Sequence, residues 1–225
     1  MKKILIANWK ANPNQSQKVT EYFSKFQGQF GAEVVFCPPF VYLNHEEFKK
    51  YTLGAQNCFW ENQGSYTGEI TPGMLKDLGA SYVLIAHSER RNILGETNEV
   101  ANFKIKQALA NGLIPVYCLG EKEGQNWQEV IKTQLQEGLK DINTDIVIAY
   151  EPVWAIGTGK ACDPATAKQV KEYITTVLGK TVPVLYGGSV NASNASEFLN
   201  NMDGLLIGGA SLDPEEFAKI CSLTN

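Results

Sequence analysis

Residues 182–217 read VPVLYGGSVNASNASEFLNNMDGLLIGGASLDPEEF, and this stretch holds the repeating pattern that decides the fold. Val182–Tyr186 and Gly204–Ile207 are short apolar runs, each followed directly by two glycines. Runs that are apolar throughout are typical of strands buried on both faces, as in parallel sheets. After the second run, Asp213-Pro214 puts an N-cap residue before a proline at the first helical position. The stretch therefore predicts strands of a parallel sheet that alternate with helices.

The same pattern extends over the rest of the chain. Six further apolar runs precede this stretch, and segments with apolar residues at helical spacing separate several of them. The runs are Lys3–Asn8, Glu33–Cys37, Thr52–Gln56, Tyr82–Ala86, Ile114–Cys118 and Ile146–Tyr150, and the clearest helical segments are Ala101–Leu113, Glu129–Leu139 and Thr166–Leu178. Eight strands alternating with helices predict an α/β fold.

The chain has 225 residues, and no linker or low-complexity stretch divides it. We therefore expect one catalytic domain over residues 1–225. Eight strand–helix units in this length match a single-domain (β/α)8 barrel, which has a closed eight-stranded parallel sheet. A doubly wound open sheet is the alternative, although such a sheet usually has a glycine-rich loop after its first strand. Here that position reads NWKAN (8–12).

Composition argues against several classes of partner. The net charge of −4 gives no long-range attraction to nucleic acid or to an anionic membrane. No apolar run approaches the ~20 residues that span a bilayer, and we expect a cytoplasmic protein. The five cysteines are widely spaced and odd in number, which favours buried small hydrophobes over a disulfide framework or a metal site. They are Cys37, Cys58, Cys118, Cys162 and Cys221.

In a (β/α)8 barrel the active site lies at the carboxyl ends of the strands, so the residues that end each run are the candidates. Glu151 directly follows the sixth run and is the best candidate base, although a rim carboxylate in a salt bridge is the alternative. His87 follows the fourth run and could be only a structural hydrogen-bonding residue; Ser88 beside it could cap a short helix. Lys10 is the cation nearest the end of the first strand.

The glycine pairs Gly187-Gly188 and Gly208-Gly209 end the last two strands. Consecutive glycines let the backbone approach a ligand, and their N–H groups can converge on an anion. Barrels often place a phosphate site after strands 7 and 8. The two pairs therefore favour a phosphate site, with tight turns as the alternative.

Eight motifs, in register with the eight strands, resemble the triosephosphate isomerase family over essentially the whole chain. They are ANWKAN (7–12), GAQN (54–57), TGEI (67–70), AHSERR (86–91), LGE (119–121), AYEPVWAIGTGK (149–160), LYGGSV (185–190) and DGLLIGGASL (203–212). The resemblance implies a TIM-barrel enzyme of glycolysis and gluconeogenesis, an intramolecular aldose–ketose isomerase. It would interconvert dihydroxyacetone phosphate and glyceraldehyde 3-phosphate by proton abstraction through an enediolate intermediate, with no metal and no cofactor.

Carried over by position, the resemblance also implies roles for single residues. Glu151 would be the general base and His87 a neutral electrophile, which is the standard assignment for this family rather than an inference from these residues. Lys10 would hold substrate and enediolate, Asn8 would orient both substrate and Lys10, and Glu89 would lie behind Lys10. The backbone N–H groups that would bind the phosphate belong to Gly157, Ser189, Gly208 and Gly209. Residues Val153–Lys160 would form a mobile lid.

The loop from Asn57 to Gly68 is expected to build a homodimer. It has no helix pattern, and Phe59, Trp60 and Tyr66 would form an apolar patch if they were left in water. The alternative from the pattern alone is that the loop folds back onto its own barrel. The resemblance implies that the loop inserts beside the active site of a partner subunit.

Two other functions fit part of this pattern. A different phosphate-binding barrel enzyme, such as an aldolase-like enzyme or a lyase, would keep the glycine pairs but would not need Asn8, Lys10, His87 and Glu151 at four strand ends. A non-enzymatic barrel would be expected to lack the base or the lid. The chain is shorter than the ~250 residues typical of such barrels, and we expect trimmed outer helices around an intact site.

Overall fold

The computed structural model describes residues 2–144, 146–157 and 159–225, so that Met1, Asp145 and Thr158 lie outside the described residues. The strands of the described part are β1 (Ile4–Asn8), β2 (Glu33–Cys37), β3 (Thr52–Ala55), β4 (Tyr82–Ile85), β5 (Ile114–Leu119), β6 (Val147–Tyr150), β7 (Val184–Tyr186) and β8 (Gly204–Ile207). Each strand pairs in parallel with the next, and β1 pairs with β8. The predicted closed (β/α)8 barrel is confirmed, and the open-sheet alternative is wrong.

The predicted strand bounds differ from the observed ones by at most two residues. The fourth strand ends at Ile85 rather than at Ala86, because Ala86 has a left-handed backbone with φ of 59°. The third strand ends before Gln56, whose side chain donates hydrogen bonds to the carbonyl oxygens of Lys10 and Cys37. Both deviations lie at the carboxyl end of the barrel.

The helices in the described residues are α1 (Gln17–Lys25), α2 (Pro72–Asp77), α3 (Ser88–Leu94), α4 (Asn98–Ala110), α5 (Trp127–Gly138), α6 (Pro164–Leu178), α7 (Ala195–Leu199) and α8 (Pro214–Ser222). The predicted proline starts are confirmed: Asp163 accepts from Ala165 N–H, and Asp213 accepts from two N–H groups of the first turn of α8. The predicted helix 101–113 begins earlier, at Asn98, since the Thr97 side chain caps it.

The core has two layers. Side chains from alternate strand positions fill the barrel interior, and larger apolar side chains pack between the strands and the helices. The interior residues are Ile4, Ile6, Val35, Cys37, Tyr82, Leu84, Val116, Cys118, Val147, Ala149, Leu185 and Leu206. Because the interior is packed rather than hollow, a ligand site has room only at an end of the barrel.

All five cysteines are free and buried, as expected. Burial raises the pKa of each thiol, for example that of Cys162 to about 11 and that of Cys58 to about 12. Among the described residues, no helix is both long enough and apolar enough to cross a membrane.

The segment after β3 has no helix between residues 57 and 68. Phe59 is buried within the fold of its own chain, and its ring lies 4.2 Å from that of Trp60 and 4.7 Å from that of Tyr66, measured between centroids. Tyr66 is 43% exposed. The alternative that the loop folds back onto its own barrel therefore holds for Phe59, which packs inside its own subunit.

Candidate active site

A cavity of about 300 Å³ opens at the carboxyl end of the barrel. Eight of the nine predicted site residues line it, namely Asn8, Lys10, His87, Glu151, Gly157, Ser189, Gly208 and Gly209. The ninth, Glu89, is not among the lining residues but contacts Lys10 from behind. A larger groove of about 550 Å³ lies outside the barrel wall, beside α1, and contains none of the nine. The smaller cavity is therefore the candidate active site.

The end of β1 supplies an amide and a cation. The Asn8 Oδ1 atom accepts the N–H of Lys10 at 3.0 Å, and Lys10 has a left-handed backbone with φ of 51°. The Gln56 side chain donates to the Lys10 carbonyl at 2.8 Å. The Lys10 Nζ atom lies 2.5 Å from Glu89 Oε1. Two hydrogen bonds thus fix the Lys10 backbone, and one carboxylate draws its ammonium group to a defined place.

His87 is held by the start of α3. Its Nδ1 atom accepts the N–H of Glu89 at 3.2 Å, so His87 caps the helix and Ser88 is the first helical residue. The expectation that Ser88 is the cap is therefore wrong. The His87 Nε2 atom lies 3.0 Å from Glu151 Oε1. A neutral ring with its proton on Nε2 satisfies both contacts, because Nδ1 must then accept and Nε2 donate.

Glu151 directly follows β6 and is only 2% exposed. Two donors hold its carboxylate: His87 Nε2 at Oε1 and the Ser88 N–H at Oε2, the latter at 3.0 Å. A Cβ on Gly187 would lie 2.8 Å from Glu151 Cγ, so the side chain fits only because residue 187 is glycine. The resting structure therefore keeps a buried carboxylate beside an imidazole.

The electrostatics of His87 depend on Glu151. Burial lowers the pKa of His87, while the Glu151 carboxylate raises it, with smaller contributions from Glu89, which raises it, and Lys10, which lowers it. With Glu151 ionised and in contact, the pKa of His87 lies above its ordinary value. Removing the negative charge of Glu151 leaves burial as the main influence, and burial favours the neutral ring.

The glycine pairs bring bare backbone to the cavity. None of the four glycines has positive φ, so turn geometry does not require them. A Cβ on Gly188 would overlap the Tyr186 hydroxyl, and one on Gly208 would lie 3.1 Å from Lys10 Cε. At Gly187, Gly188 and Gly208 the requirement is space rather than turn conformation, whereas a Cβ on Gly209 would meet no atom within 4 Å.

Three residues that support the site were missed from sequence, although each lies in a quoted motif. Ser88 contributes its backbone N–H to Glu151, and Gln56 fixes the Lys10 carbonyl. Glu121 accepts hydrogen bonds from Trp154 Nε1 at 2.9 Å and from the Tyr150 hydroxyl at 3.2 Å. Motif position was the only available signal, because each contact joins segments that are remote in sequence.

The chemistry of the lining limits what the cavity can do. It contains one carboxylate, one imidazole, one ammonium, the amides of Asn8 and Asn191, and bare glycine backbone, which at Gly187 and Gly208 lies beside Glu151 and Lys10. Within the described ranges, no group of three or more His, Cys, Asp or Glu side chains could hold a metal ion. The arrangement suits a small anionic ligand on which a proton is moved.

The chain is similar to known proteins over nearly its whole length. The family model described as triosephosphate isomerase matches residues 3–224. The chain is similar to the triosephosphate isomerase of a Dehalococcoides mccartyi strain, at 48% identity over 98% of this chain and 96% of that protein. It is also similar to those of Dictyoglomus thermophilum, at 45% identity over 97% and 98%, and of Moorella thermoacetica, at 41% identity over 96% and 96%.

We expect Glu151→Gln to lower the pKa of His87 below the ordinary histidine value of ~6.5. The substitution removes the carboxylate charge that raises this pKa, whereas burial, which lowers it, remains. The measurement is a pH titration of the imidazole ¹⁵N signals. The chain has only two histidines, so the His45 signals serve as an internal reference. A His87 titration that does not move would contradict this account of the site.

Proposed function

This chain belongs to the triosephosphate isomerase family, and from that premise we propose which of its residues perform the reaction. The enzyme is an intramolecular aldose–ketose isomerase of glycolysis and gluconeogenesis. It interconverts dihydroxyacetone phosphate and glyceraldehyde 3-phosphate by proton abstraction through an enediolate intermediate. One observation carries the proposal: the buried Glu151 carboxylate meets the His87 imidazole at 3.0 Å inside the cavity that Lys10 also lines.

Glu151 is the general base in this proposal. A proton next to a carbonyl group is weakly acidic, so its removal needs a positioned base that is shielded from water. Glu151 is buried, and its two present partners, His87 and the Ser88 N–H, are hydrogen-bond donors. A bound substrate would displace these two contacts. The carboxylate would then face the carbon atoms of the substrate.

His87 and Lys10 stabilise the enediolate that forms when the proton leaves. The His87 Nε2–H is a donor directed into the cavity, and the substrate oxygens would take the place of Glu151 Oε1 as its acceptor. Lys10 adds a positive charge, which Glu89 positions from behind, and Asn8 holds the Lys10 backbone. Donors that are fixed before charge develops lower the barrier without reorganisation.

The phosphate group would bind to the backbone N–H groups of Gly157, Ser189, Gly208 and Gly209. All four residues line the cavity, and the space for a Cβ at Gly209 is open. Since the chain as a whole carries a net charge of −4, local groups have to hold this anion.

We expect Glu151→Gln to lower kcat at least a hundredfold, because general-base catalysis contributes about 10²–10⁴. The amide keeps the shape of the side chain but cannot take up the proton. A coupled assay with glyceraldehyde 3-phosphate measures kcat, and Glu129→Gln on the exposed face of α5 is the control. If the folded variant kept more than about a tenth of wild-type kcat, a loss of only ~1.4 kcal/mol, Glu151 would not be the base.

A lid over residues 153–160 is the second part of the proposal. Its first turn is the 3-10 helix Val153–Ala155, and Gly157 and Gly159 have positive φ; Thr158 lies outside the described residues. The Ser189 hydroxyl donates to the Ala155 carbonyl at 2.6 Å, which links the lid to the end of β7. A closed lid would exclude water from an intermediate that can otherwise lose phosphate.

We expect amide hydrogen exchange in residues 153–160 to slow when a phosphate-bearing enediolate mimic binds, because closure orders the glycine-containing part. Exchange in α5 should not change and serves as the control. Equal exchange of the lid with and without the mimic would contradict this proposal.

A homodimer through the loop from Asn57 to Gly68 is the third part. Exposed apolar side chains lie in the segments after β2, β3 and β4, which are neighbours in the barrel, and we propose that they form one contact surface. They include Val41, Tyr66, Met74, Ile93 and Leu94, which are 82%, 43%, 53%, 76% and 64% exposed. A symmetric contact at this surface should bury over ~1,200 Å². The loop would then support Lys10 of the partner subunit.

Sedimentation equilibrium at micromolar concentration should give about twice the chain mass of 24.8 kDa. Ile93→Asp should shift the mass towards that of the monomer and reduce activity, since a carboxylate is costly to bury in an apolar contact. Leu223→Asp, at an exposed leucine beyond α8, is the matched control. A wild-type monomer with full activity would disprove both the interface and its support of Lys10.

Two further expectations belong to this proposal. We propose that residues 1–225 act as one catalytic domain, because the eight described strands form one closed barrel with the candidate active site at its carboxyl end. We also propose a cytoplasmic location. The five free thiols support it, since cysteines stay reduced in that compartment.

A further inference from the structure

Ala86, the residue before His87, has an unusual backbone. It is fully buried and left-handed, with φ of 59°, a conformation that costs energy for any residue with a Cβ. Both of its peptide groups are held by charged side chains rather than by the sheet. The Glu96 Oε1 atom accepts the Ala86 N–H at 3.1 Å, and Arg91 Nε donates to the Ala86 carbonyl at 3.0 Å.

Arg91 is itself fixed on three sides. It donates to Asn98 Oδ1 at 2.7 Å, to the Tyr117 hydroxyl at 3.0 Å and to the Cys118 carbonyl at 3.3 Å. Its guanidinium carbon lies 5.5 Å from the centre of the Tyr117 ring. Arg91 therefore connects the end of β4 to β5 and to the start of α4, with a planar group that presents several donors at set angles.

Glu96 is equally well fixed. It is 8% exposed and accepts from Arg90 Nε at 2.7 Å and from Lys104 Nζ at 2.6 Å. Neither Arg91 nor Glu96 lines the active-site cavity. The contact through which both reach the site is the Ala86 backbone that they hold.

We propose that Arg91, together with Glu96, is a positioning residue that keeps Ala86 left-handed and thereby directs His87 into the active site. A change of φ and ψ at Ala86 would swing the peptide that leads into His87. The Nδ1 atom of His87 would then lose the Glu89 N–H, and Nε2 would lose its place beside Glu151. This inference rests on the proposed role of His87.

The test compares Arg91 substitutions in two backgrounds, Ala86 and Ala86→Gly. Glycine adopts positive φ without the cost that alanine bears, so it needs the charged side chains less. We expect Arg91→Met to lower kcat about tenfold or more with little change in KM. In the Ala86→Gly background, the factor by which Arg91→Met lowers kcat should be smaller by about threefold or more. Arg91→Lys should lie between wild type and Arg91→Met, since one ammonium group cannot reach all the acceptors.

Lys171→Met is the matched control. The Lys171 Nζ atom donates to the Asn201 carbonyl at 3.3 Å and to Asp203 Oδ1 at 2.8 Å, just before β8 at the opposite end of the barrel. Its loss also removes a cation that holds a backbone carbonyl, but far from His87. We expect kcat to be unchanged in both backgrounds.

The imidazole ¹⁵N signals of His87 give a second readout that does not depend on activity. Arg91→Met should shift them at constant pH, and Ala86→Gly should restore them in part. Equal losses of kcat in both backgrounds, or unchanged His87 signals, would overturn the proposal. If Arg91→Met does not fold, Arg91→Lys in the two backgrounds gives the same comparison. If His87→Asn retained full activity while the His87 signals still responded to Arg91→Met, the role of His87 in the reaction would be refuted. The positioning of its ring by Arg91 would still stand.

Discussion

The pairing of β1 with β8 is the interaction on which the rest of the structure depends. Ile4 lies opposite Gly204 in this pair, and a Cβ on Gly204 would overlap the Ile4 carbonyl oxygen, so the strands can meet only at a bare backbone. Lys3 adds a side-chain bond to the Met202 carbonyl at 2.6 Å. Because all strands are parallel, closure puts eight carboxyl ends on one ring. Residues as distant in sequence as His87 and Glu151 then meet within hydrogen-bonding distance.

The sequence was sufficient for the parts of the structure that depend on local pattern. Glu33–Cys37 and Gly204–Ile207 were predicted with the observed bounds, because continuous apolar runs flanked by polar or glycine residues have few other solutions. The candidate site could be assembled for a related reason. Lys10, His87 and Glu151 each closely follow a strand, so a correct barrel already places them at the same end.

The sequence was not sufficient where the structure depends on individual side-chain contacts rather than on a repeating pattern. Alanine has no local preference for the left-handed conformation of Ala86, which is held by side chains that follow it in the chain. The helix start at His87 was misassigned to Ser88 because serine is the more common cap, and an imidazole caps here while its other nitrogen contacts Glu151. For Phe59 the sequence left two places open, an interface with a partner or its own barrel, because pattern alone cannot tell a folded-back loop from an exposed one.

The buried thiols have a consequence for how opening of this protein can be observed. The thiolate is the reactive form of cysteine, and at all five positions burial both blocks access and raises the pKa, as for Cys118 inside the barrel and Cys162 beside Tyr186. An alkylating reagent therefore reacts only with molecules that have opened. Since Cys37 and Cys118 lie inside the barrel and Cys58, Cys162 and Cys221 lie outside it, the order in which the thiols are labelled reports which layer opens first.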